Sequence, residues 1–147
     1  MAARLAVDSS KLAVHATTTI YYAVNEPKTW DAALKSCQVL GSDLVTIMTY
    51  EEQKSLMDYL KRAFPTTDGY WVGANGGQVN EWAWTTGEPL PDKATFLWNS
   101  RQNKHQKTKG CLTLHPQVGT TYAKISEAGF CPHPCADKKA YICEKKN

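Results

Sequence analysis

Residues 69–84 of the chain read GYWVGANGGQVNEWAW. In the first six residues, β-branched and aromatic side chains lie between two glycines, which predicts a strand over residues 69–74. The Asn-Gly-Gly sequence at residues 75–77 is typical of a turn, and the alternation over residues 81–84 predicts a second short strand. A strand, a turn and a strand are therefore predicted near the middle of the chain.

The segment before this stretch predicts one strand and then a helix. Residues 17–24 are rich in β-branched and aromatic side chains, which favours a strand. Over residues 29–40, apolar side chains recur at steps of three and four, which places them on one helical face. Thr29 can cap the start of this helix, and Gly41 suits the left-handed residue after its last turn. Cys37 lies on the apolar face, so its disulfide partner is expected to come from the core.

A second helix is predicted immediately afterwards. Thr49 and Glu52 have the spacing of a capping box, and the apolar pattern that follows continues to about Phe64. Pro65 then ends the helix. The first half of the domain is therefore predicted to be strand, helix, helix.

Residues 85–110 show no clear periodicity, and we call them the long loop. They are rich in Gly, Pro, Asn, Lys and Gln, and a loop of this length in a compact domain is most often functional. Closing strands are predicted at residues 111–114, 120–125 and 140–144. The pattern as a whole indicates an α+β fold: two early helices and small antiparallel sheets that carry a long loop.

Four of the five cysteines lie in the last 37 residues. A metal site is one interpretation, because Cys131, His133 and Cys135 could supply two thiolates and an imidazole. No Cys-x-x-Cys pair occurs, a fourth ligand is missing, and the alternating prolines make a poor chelating loop. Disulfides in an oxidising compartment are favoured, which predicts a secreted, extracellular protein with no metal site among these residues.

The chain has no run of eighteen apolar residues, so no membrane span is predicted. Residues 1–16 are interpreted as an N-terminal extension or as residues added for expression, and residues 17–147 as the folded domain. The first ten residues do not resemble a signal peptide. If the protein is secreted, a leader is expected to have been removed.

A series of short motifs, in order and at consistent spacing, resembles the C-type lectin-like domain, in the short form found in animal extracellular proteins. The resemblance runs from residue 21 to residue 145. It implies that family's fold and a recognition function without enzymatic activity. The motifs are Tyr21-Tyr22, Trp30 with Cys37, Gly41 with Leu44 and Ile47, Glu51-Glu52-Gln53, Tyr70-Trp71-Val72-Gly73, Trp82 with Trp84, Gly87, Pro89 and Leu90, and Tyr141-Ile142-Cys143-Glu144-Lys145.

The resemblance also implies a disulfide pattern. It pairs Cys37 with Cys143, and Cys111 with Cys135, which lies eight residues before Cys143. Cys131 is left over. An odd cysteine in a secreted protein suggests a free or capped thiol, or a bond to another chain that would make a disulfide-linked dimer. The prolines near Cys131 predict a rigid surface turn.

The family's sugar site is a calcium site, and the resemblance implies that this chain has lost it. The family's loop tripeptide falls on Gln102, Asn103 and Lys104, with Asn103 at the position of its proline, and its loop glutamate falls on Lys109. The family's Trp-Asn-Asp strand falls on residues 130–132. Calcium needs six to eight oxygen ligands, several of them charged. Only Gln102 retains an oxygen ligand among the loop positions, so we predict no calcium and no other cofactor.

Calcium-dependent sugar binding through a rearranged site is the alternative. Glu88-Pro89 resembles half of the family's calcium-binding tripeptide, and Asp92 is near enough in sequence to assist. Pro89, however, lies 22 residues before Cys111. This distance fits the start of the long loop better than its calcium-binding part.

Residues 93–126 contain no acidic side chain but six Lys or Arg, while the whole chain carries +3, so the remainder carries −3. A lysine-rich solvated loop is the simple interpretation. The functional interpretation is a basic face for a protein or an anionic, sulfated glycan, or for anionic lipid; nucleic acid is disfavoured by the extracellular setting. A third interpretation is a structural role with apolar packing against a partner. The predicted ligand-binding residues are Trp98, Arg101, Gln102, Lys104, Lys107, Lys109 and Lys124.

No catalytic site is predicted. The four histidines, His15, His105, His115 and His133, do not form a recognisable triad or His-x-x-x-His pattern. Trp71, Trp82 and Trp84 are expected in the core, whereas Trp98 could lie in the core or on a binding surface.

Overall fold

A computed structural model of the protein describes residues 2–8, 18–78, 81–91, 96–98, 110–116 and 128–146. These residues form eight strands and two helices. In chain order the elements are β1 (Ala2–Asp8), β2 (Thr18–Lys28), α1 (Trp30–Val39), β3 (Asp43–Leu44), α2 (Tyr50–Ala63), β4 (Tyr70–Gln78), β5 (Glu81–Trp84), β6 (Cys111–His115), β7 (Gly129–His133) and β8 (Lys139–Lys146).

The described strands are all hydrogen-bonded into one connected sheet. The main path runs β1-β2-β8-β4-β6-β7, with β3 paired to β8 and β5 paired to β4. Strands β4 and β8 run parallel, and the other pairs are antiparallel. The predicted α+β class with two helices is confirmed. The sheet is mixed, however, because the late strand β8 lies beside β4, which precedes it by more than sixty residues.

Helix α1 begins and ends where its capping residues predict. The Thr29 hydroxyl accepts a hydrogen bond from the Ala32 amide, and Gly41 follows the helix with a φ of 72°. The indole Nε1 of Trp30 donates to the Val72 carbonyl at 2.8 Å. The buried face of α1, with Cys37, therefore packs against one side of the sheet together with Leu44 and Trp71.

Helix α2 begins at its predicted capping residue, since the Thr49 hydroxyl accepts a hydrogen bond from the Glu52 amide at 3.1 Å. Leu56, Met57 and Leu60 are buried in the larger core, which covers the other side of the sheet. Trp82 and Trp84 lie in the same core, and Trp71 is fully buried in the smaller one. The prediction that these three tryptophans are core residues is confirmed.

Two turn predictions were wrong. Residues 75–77 belong to β4, where Asn75 pairs with Ala83 and Gly76 with Trp82. The turn around Cys131 is also absent, because Pro132 lies within β7 and pairs with Leu112. Strand β7 is at the edge of the sheet, where a proline can be accommodated although it has no amide hydrogen to donate. The strand predicted at residues 120–125 lies outside the described residues.

Strand β1 was not predicted. It pairs antiparallel with β2 over seven residues and forms the opposite edge of the sheet. Three of its seven residues are alanine, which has little strand propensity, so the segment carried no strand signal in the sequence. Part of residues 1–16, interpreted as an extension, thus joins the same sheet as the rest of the domain.

The short link after β3 is held close to the sheet by backbone hydrogen bonds. The Val45 amide donates to the Ile142 carbonyl at 3.0 Å, and the Gly73 amide donates to the Val45 carbonyl at 2.8 Å. A β-carbon at Gly73 would lie 2.8 Å from the Leu44 carbonyl oxygen. Only glycine lets the two backbones approach this closely.

We expect Gly73→Ala to lower the free energy of unfolding by about 1–3 kcal/mol, because the obstructing atoms are backbone and a methyl group must displace them. Urea unfolding with the disulfides intact measures the change. The control is Asn75→Ala, an exposed side chain on the same strand. Equal stability of the two variants would contradict the steric argument.

A buried carboxyl group lies on β8 beside this link. Glu144 is 8% exposed, and its Oε1 accepts a hydrogen bond from the Thr46 amide at 2.9 Å. Burial, chiefly, raises the pKa of Glu144 from 4.5 to about 7, and the charges of Glu52 and Asp43 act in the same direction while Lys146 opposes them. The folded state therefore holds a proton that the unfolded state releases between these two pH values.

Because the folded state keeps this proton while the unfolded state loses it, the domain becomes less stable as the pH rises from about 4.5 to about 7. In Glu144→Gln the side chain stays neutral and can still accept from Thr46. We expect the variant to lack this decline and to exceed the wild type by about 1–3 kcal/mol above pH 7. Urea unfolding across this pH range measures the difference, with exposed Glu51→Gln as control. A pH-independent difference between Glu144→Gln and wild type would contradict the assignment.

Candidate functional site

Residues 96–98 of the long loop are held in place by a buried glutamine of α2. Gln53 has no solvent exposure; its Nε2 donates to the Leu97 carbonyl at 2.9 Å, and its Oε1 accepts from the Leu97 amide at 2.8 Å. The same Leu97 carbonyl also accepts from the Phe130 amide at 2.9 Å. Leu97 is thereby held between α2 and β7 through its own backbone.

Aromatic rings reinforce this attachment. Phe130 is fully buried, and three rings meet it edge-on, with centroid distances of 5.0 Å for Phe96, 5.5 Å for Trp98 and 6.1 Å for Trp84. Trp98 packs on the core and remains half-exposed. It therefore has features of both interpretations that the sequence left open.

The other end of the long loop is fixed as well. The Gly110 carbonyl accepts from the Gly76 amide at 2.9 Å, and the next residue, Cys111, is bonded to Cys135. The Cys135 carbonyl in turn accepts from the Trp30 amide at 3.1 Å, which links this disulfide to α1. Trp98 and Gly110, the described residues on either side of residues 99–109, are thus both attached to the framework.

The two predicted disulfides are confirmed. Cys37 and Cys143 are bonded across 106 residues of sequence, and Cys111 and Cys135 across 24. In the chain-entropy view, both bridges restrict the unfolded chain, and the longer loop restricts it more.

Most of the predicted ligand-binding residues lie outside the described part of the chain. Trp98 is described, and its position is given above. The predictions for the remaining residues stay predictions; they concern Arg101, Gln102, Lys104, Lys107, Lys109 and Lys124.

The segment around Glu88 and Pro89 lies where the start of the long loop was predicted. The Trp84 amide donates to the Glu88 carbonyl at 2.9 Å, and the Leu90 amide donates to the Trp82 carbonyl at 3.2 Å. Pro89 forms a bridge with Ala83. The backbone here is an extension of the β5 pairing, and Asp92 lies outside the described residues.

Three side chains of metal-binding types converge on β6 and β7. The Nε2 atoms of His115 and His133 are 3.3 Å apart, and the Cys131 Sγ lies 3.4 Å from His133 Nε2. Cys131 is the free cysteine among the described residues and has no solvent exposure. It therefore does not lie on a surface turn, and a disulfide to a second chain would require it to leave the sheet.

Burial governs the protonation of this cluster. It lowers the pKa of His115 to about 3 and of His133 to about 4, with the positive charge of Lys139 acting in the same direction on both. Burial also raises the pKa of the Cys131 thiol to about 12. At neutral pH the cluster consists of two neutral imidazoles and a protonated thiol, and not of a thiolate–imidazolium pair.

Two residues of this site were missed by sequence reasoning. Gln53 was quoted as part of a motif, but nothing in the sequence assigns its amide to Leu97, 44 positions later. His115 was set aside because the four histidines form no recognisable sequence pattern, and it was not considered together with Cys131. The register of β6 and β7, which pairs Thr113 with Cys131, brings it close.

We expect Gln53→Leu to lower the free energy of unfolding by about 1–3 kcal/mol, because the Leu97 amide loses its acceptor in a partly buried position. Amide hydrogen exchange at Leu97 should accelerate more than in the β4–β8 region. The control is Lys54→Ala, an exposed neighbour on α2, with an expected change within about 0.5 kcal/mol. Unchanged exchange at Leu97 in the Gln53 variant would contradict its anchoring role.

No helix among the described residues is long and apolar enough to cross a membrane.

The domain resembles a solved structure, the C-type lectin domain of murine dendritic cell inhibitory receptor 2 in complex with N-glycan. The TM-score is 0.69, the identity is 22%, and the match covers 88% of this chain and 91% of that one.

Two relatives are similar to this chain in sequence. C-type lectin domain family 4 member C of Homo sapiens is 32% identical over 88% of this chain, and member M of Nomascus concolor is 27% identical over 85%. The matches span 55% and 28% of the lengths of these two relatives. The family profile described as "Lectin C-type domain" matches residues 26–145. The chain therefore belongs to the C-type lectin domain family.

Proposed function

We propose that this domain is an extracellular recognition module that binds an anionic glycan or an acidic protein surface without calcium. The observation that carries this proposal is the chemistry of the long loop, where Lys104 and Lys109 stand at positions that need oxygen ligands for calcium. Ammonium groups repel a dication and offer it no lone pair. The same groups attract sulfate and carboxylate.

The attachment of the loop supports recognition rather than a spacer role. Gln53 and Phe130 hold the chain just before residue 99, and the Cys111–Cys135 disulfide holds it just after residue 109. A segment with both ends held loses less conformational entropy on binding than a free one. The domain thus keeps the family's framework around a segment whose charge has changed.

The nature of the relatives supports the general class of ligand. The murine receptor domain that shares the fold is in complex with an N-glycan. A surface of this architecture can therefore accommodate a carbohydrate, and the net +6 of residues 93–126 directs our proposal towards a sulfated or otherwise anionic one. In our proposal the domain binds its partner and does not transform it.

The first test is charge reversal. We expect the triple variant Lys104→Glu, Lys107→Glu, Lys109→Glu to bind a sulfated glycan at least roughly tenfold more weakly than wild type, with a smaller dependence of affinity on salt. Surface plasmon resonance against immobilised heparin provides the measurement. The matched control reverses three exposed lysines elsewhere, Lys54, Lys138 and Lys145. Equal losses in both triple variants would mean that net charge, and not the loop, governs binding.

The second test concerns calcium. Calorimetric titration of the chelator-treated protein is expected to give no saturable heat up to about 1 mM calcium, the weak end of the range for extracellular calcium modules. A glycan array read with calcium and with chelator should give the same pattern. Saturable calcium binding, with glycan signals that disappear in chelator, would replace this proposal by calcium-dependent sugar binding.

A further inference from the structure

We propose that His115, Cys131 and His133 form a site for a zinc-type transition-metal ion, between the edge strand β7 and its neighbour β6. Their ligand atoms all lie within 4.8 Å of one another. This site is separate from the family's calcium site in chemistry, because it offers nitrogen and sulfur rather than oxygen. It is also independent of the long loop's charge, so its fate does not depend on the proposed function.

The distances match coordination. Zinc binds histidine nitrogen at about 2.0–2.1 Å and cysteine sulfur at about 2.3 Å, so two ligands of one ion lie roughly 3.3–3.8 Å apart at tetrahedral or trigonal angles. The His115 and His133 Nε2 atoms are 3.3 Å apart, and Cys131 Sγ is 3.4 Å from His133 Nε2. Both separations allow one ion to contact all of these atoms after small side-chain adjustments.

The sheet register explains why these three side chains meet. Thr113 pairs with Cys131, and Cys111 with His133, so these residues share one face with His115, while Leu112, Leu114 and Phe130 face the larger core. The imidazole rings of His115 and His133 are stacked, with their centroids 5.4 Å apart. The convergence is therefore built into the β6–β7 pairing.

Each imidazole has one neighbour that bears on its placement, Asp137 for His133 and Gly69 for His115. The His133 Nδ1 lies 3.9 Å from a carboxylate oxygen of Asp137, so its Nε2 is the nitrogen that faces the cluster. Metal-bound histidines commonly donate their second N–H to a carboxylate, and Asp137 lies near that position without a hydrogen bond in this structure. Gly69 lies against the ring of His115: a β-carbon there would be 2.9 Å from the imidazole Nε2. The absence of a side chain at Gly69 leaves the ring room to lie where it does.

Metal binding would change the protonation of the cluster. On binding, the Cys131 thiol releases its proton to solvent and the two neutral imidazoles contribute lone pairs, so a Zn²⁺ complex carries a net charge of +1. The thiolate thus lowers the charge of the bound ion from +2 to +1 beside the positive charge of Lys139. Without a metal, two Nε2 atoms face each other, and only one of them can donate to the other.

The described residues offer three ligands, which leaves one position of a tetrahedral ion for water or another group. The side chain of His133 is 17% exposed, so the site reaches the surface at that residue. Cys135 cannot be the fourth ligand, because it is bonded to Cys111. The site therefore differs from the Cys131, His133, Cys135 arrangement that the sequence raised: His115 replaces Cys135.

The test uses the full chain with its disulfides intact, after removal of metal by chelator under anaerobic conditions without reductant. Zn²⁺ is measured by competition with a chromogenic chelator, and Co²⁺ serves as the spectroscopic probe. We expect one Zn²⁺ per chain, a higher melting temperature with zinc, and a thiolate-to-cobalt charge-transfer band. Zinc binding is expected to weaken at least tenfold in Cys131→Ser and His133→Gln, and to remain unchanged in the control His15→Gln.

Cys131→Ser places a hydroxyl in a buried position and could prevent folding. In that case His133→Gln still tests the proposal, because His133 is the most exposed of the three ligands. Circular dichroism before titration confirms that each variant is folded. The proposal is overturned by the absence of saturable zinc binding to wild type, by a cobalt complex without a thiolate band, or by wild-type affinity in His133→Gln. Loss of heparin binding in the lysine variants does not bear on these outcomes.

Discussion

The pairing of strand β8 with three other strands is the interaction on which the domain depends. β8 is hydrogen-bonded to β2, β3 and β4, and its Cys143 is bonded to Cys37 of α1. These contacts join the last residues of the chain to elements formed more than sixty residues earlier, so their loop-closure entropy is high. The disulfide offsets part of that entropy by restricting the unfolded chain. The two cores form on either side of the sheet that β8 completes.

The framework on either side of residues 99–109 is constrained by buried contacts. Gln53, Phe130 and the Cys111–Cys135 bridge hold the ends of the long loop through buried contacts that tolerate little change. The residues between these ends are rich in lysine, and in our proposal they provide the recognition surface. The proposal thus combines the family's framework motifs with Lys104 and Lys109 at two positions where the resemblance implies calcium ligands.

Strand β7, at the end of the sheet, carries both a proline and two of the proposed metal ligands. Pro132 lacks an amide hydrogen and lies in β7, the last strand of the sheet, where a proline is tolerated. The same strand places Cys131 and His133 on the face shared with His115. The imidazoles and the thiol are buried and neutral, in contrast with the basic residues of the long loop, so the two proposals concern independent regions of the domain.

The sequence by itself determined both helices with their caps, the core tryptophans, most of the described strands and, through family resemblance, both disulfides. These features follow from local periodicity, capping chemistry and motif spacing, which are written in neighbouring residues. Only the tertiary structure decided that residues 75–77 and 132 lie in strands, that Gln53 holds Leu97, and that His115 meets Cys131. Each of these depends on sheet register and on contacts between distant residues, where cross-strand packing overrides the turn preferences of glycine and proline.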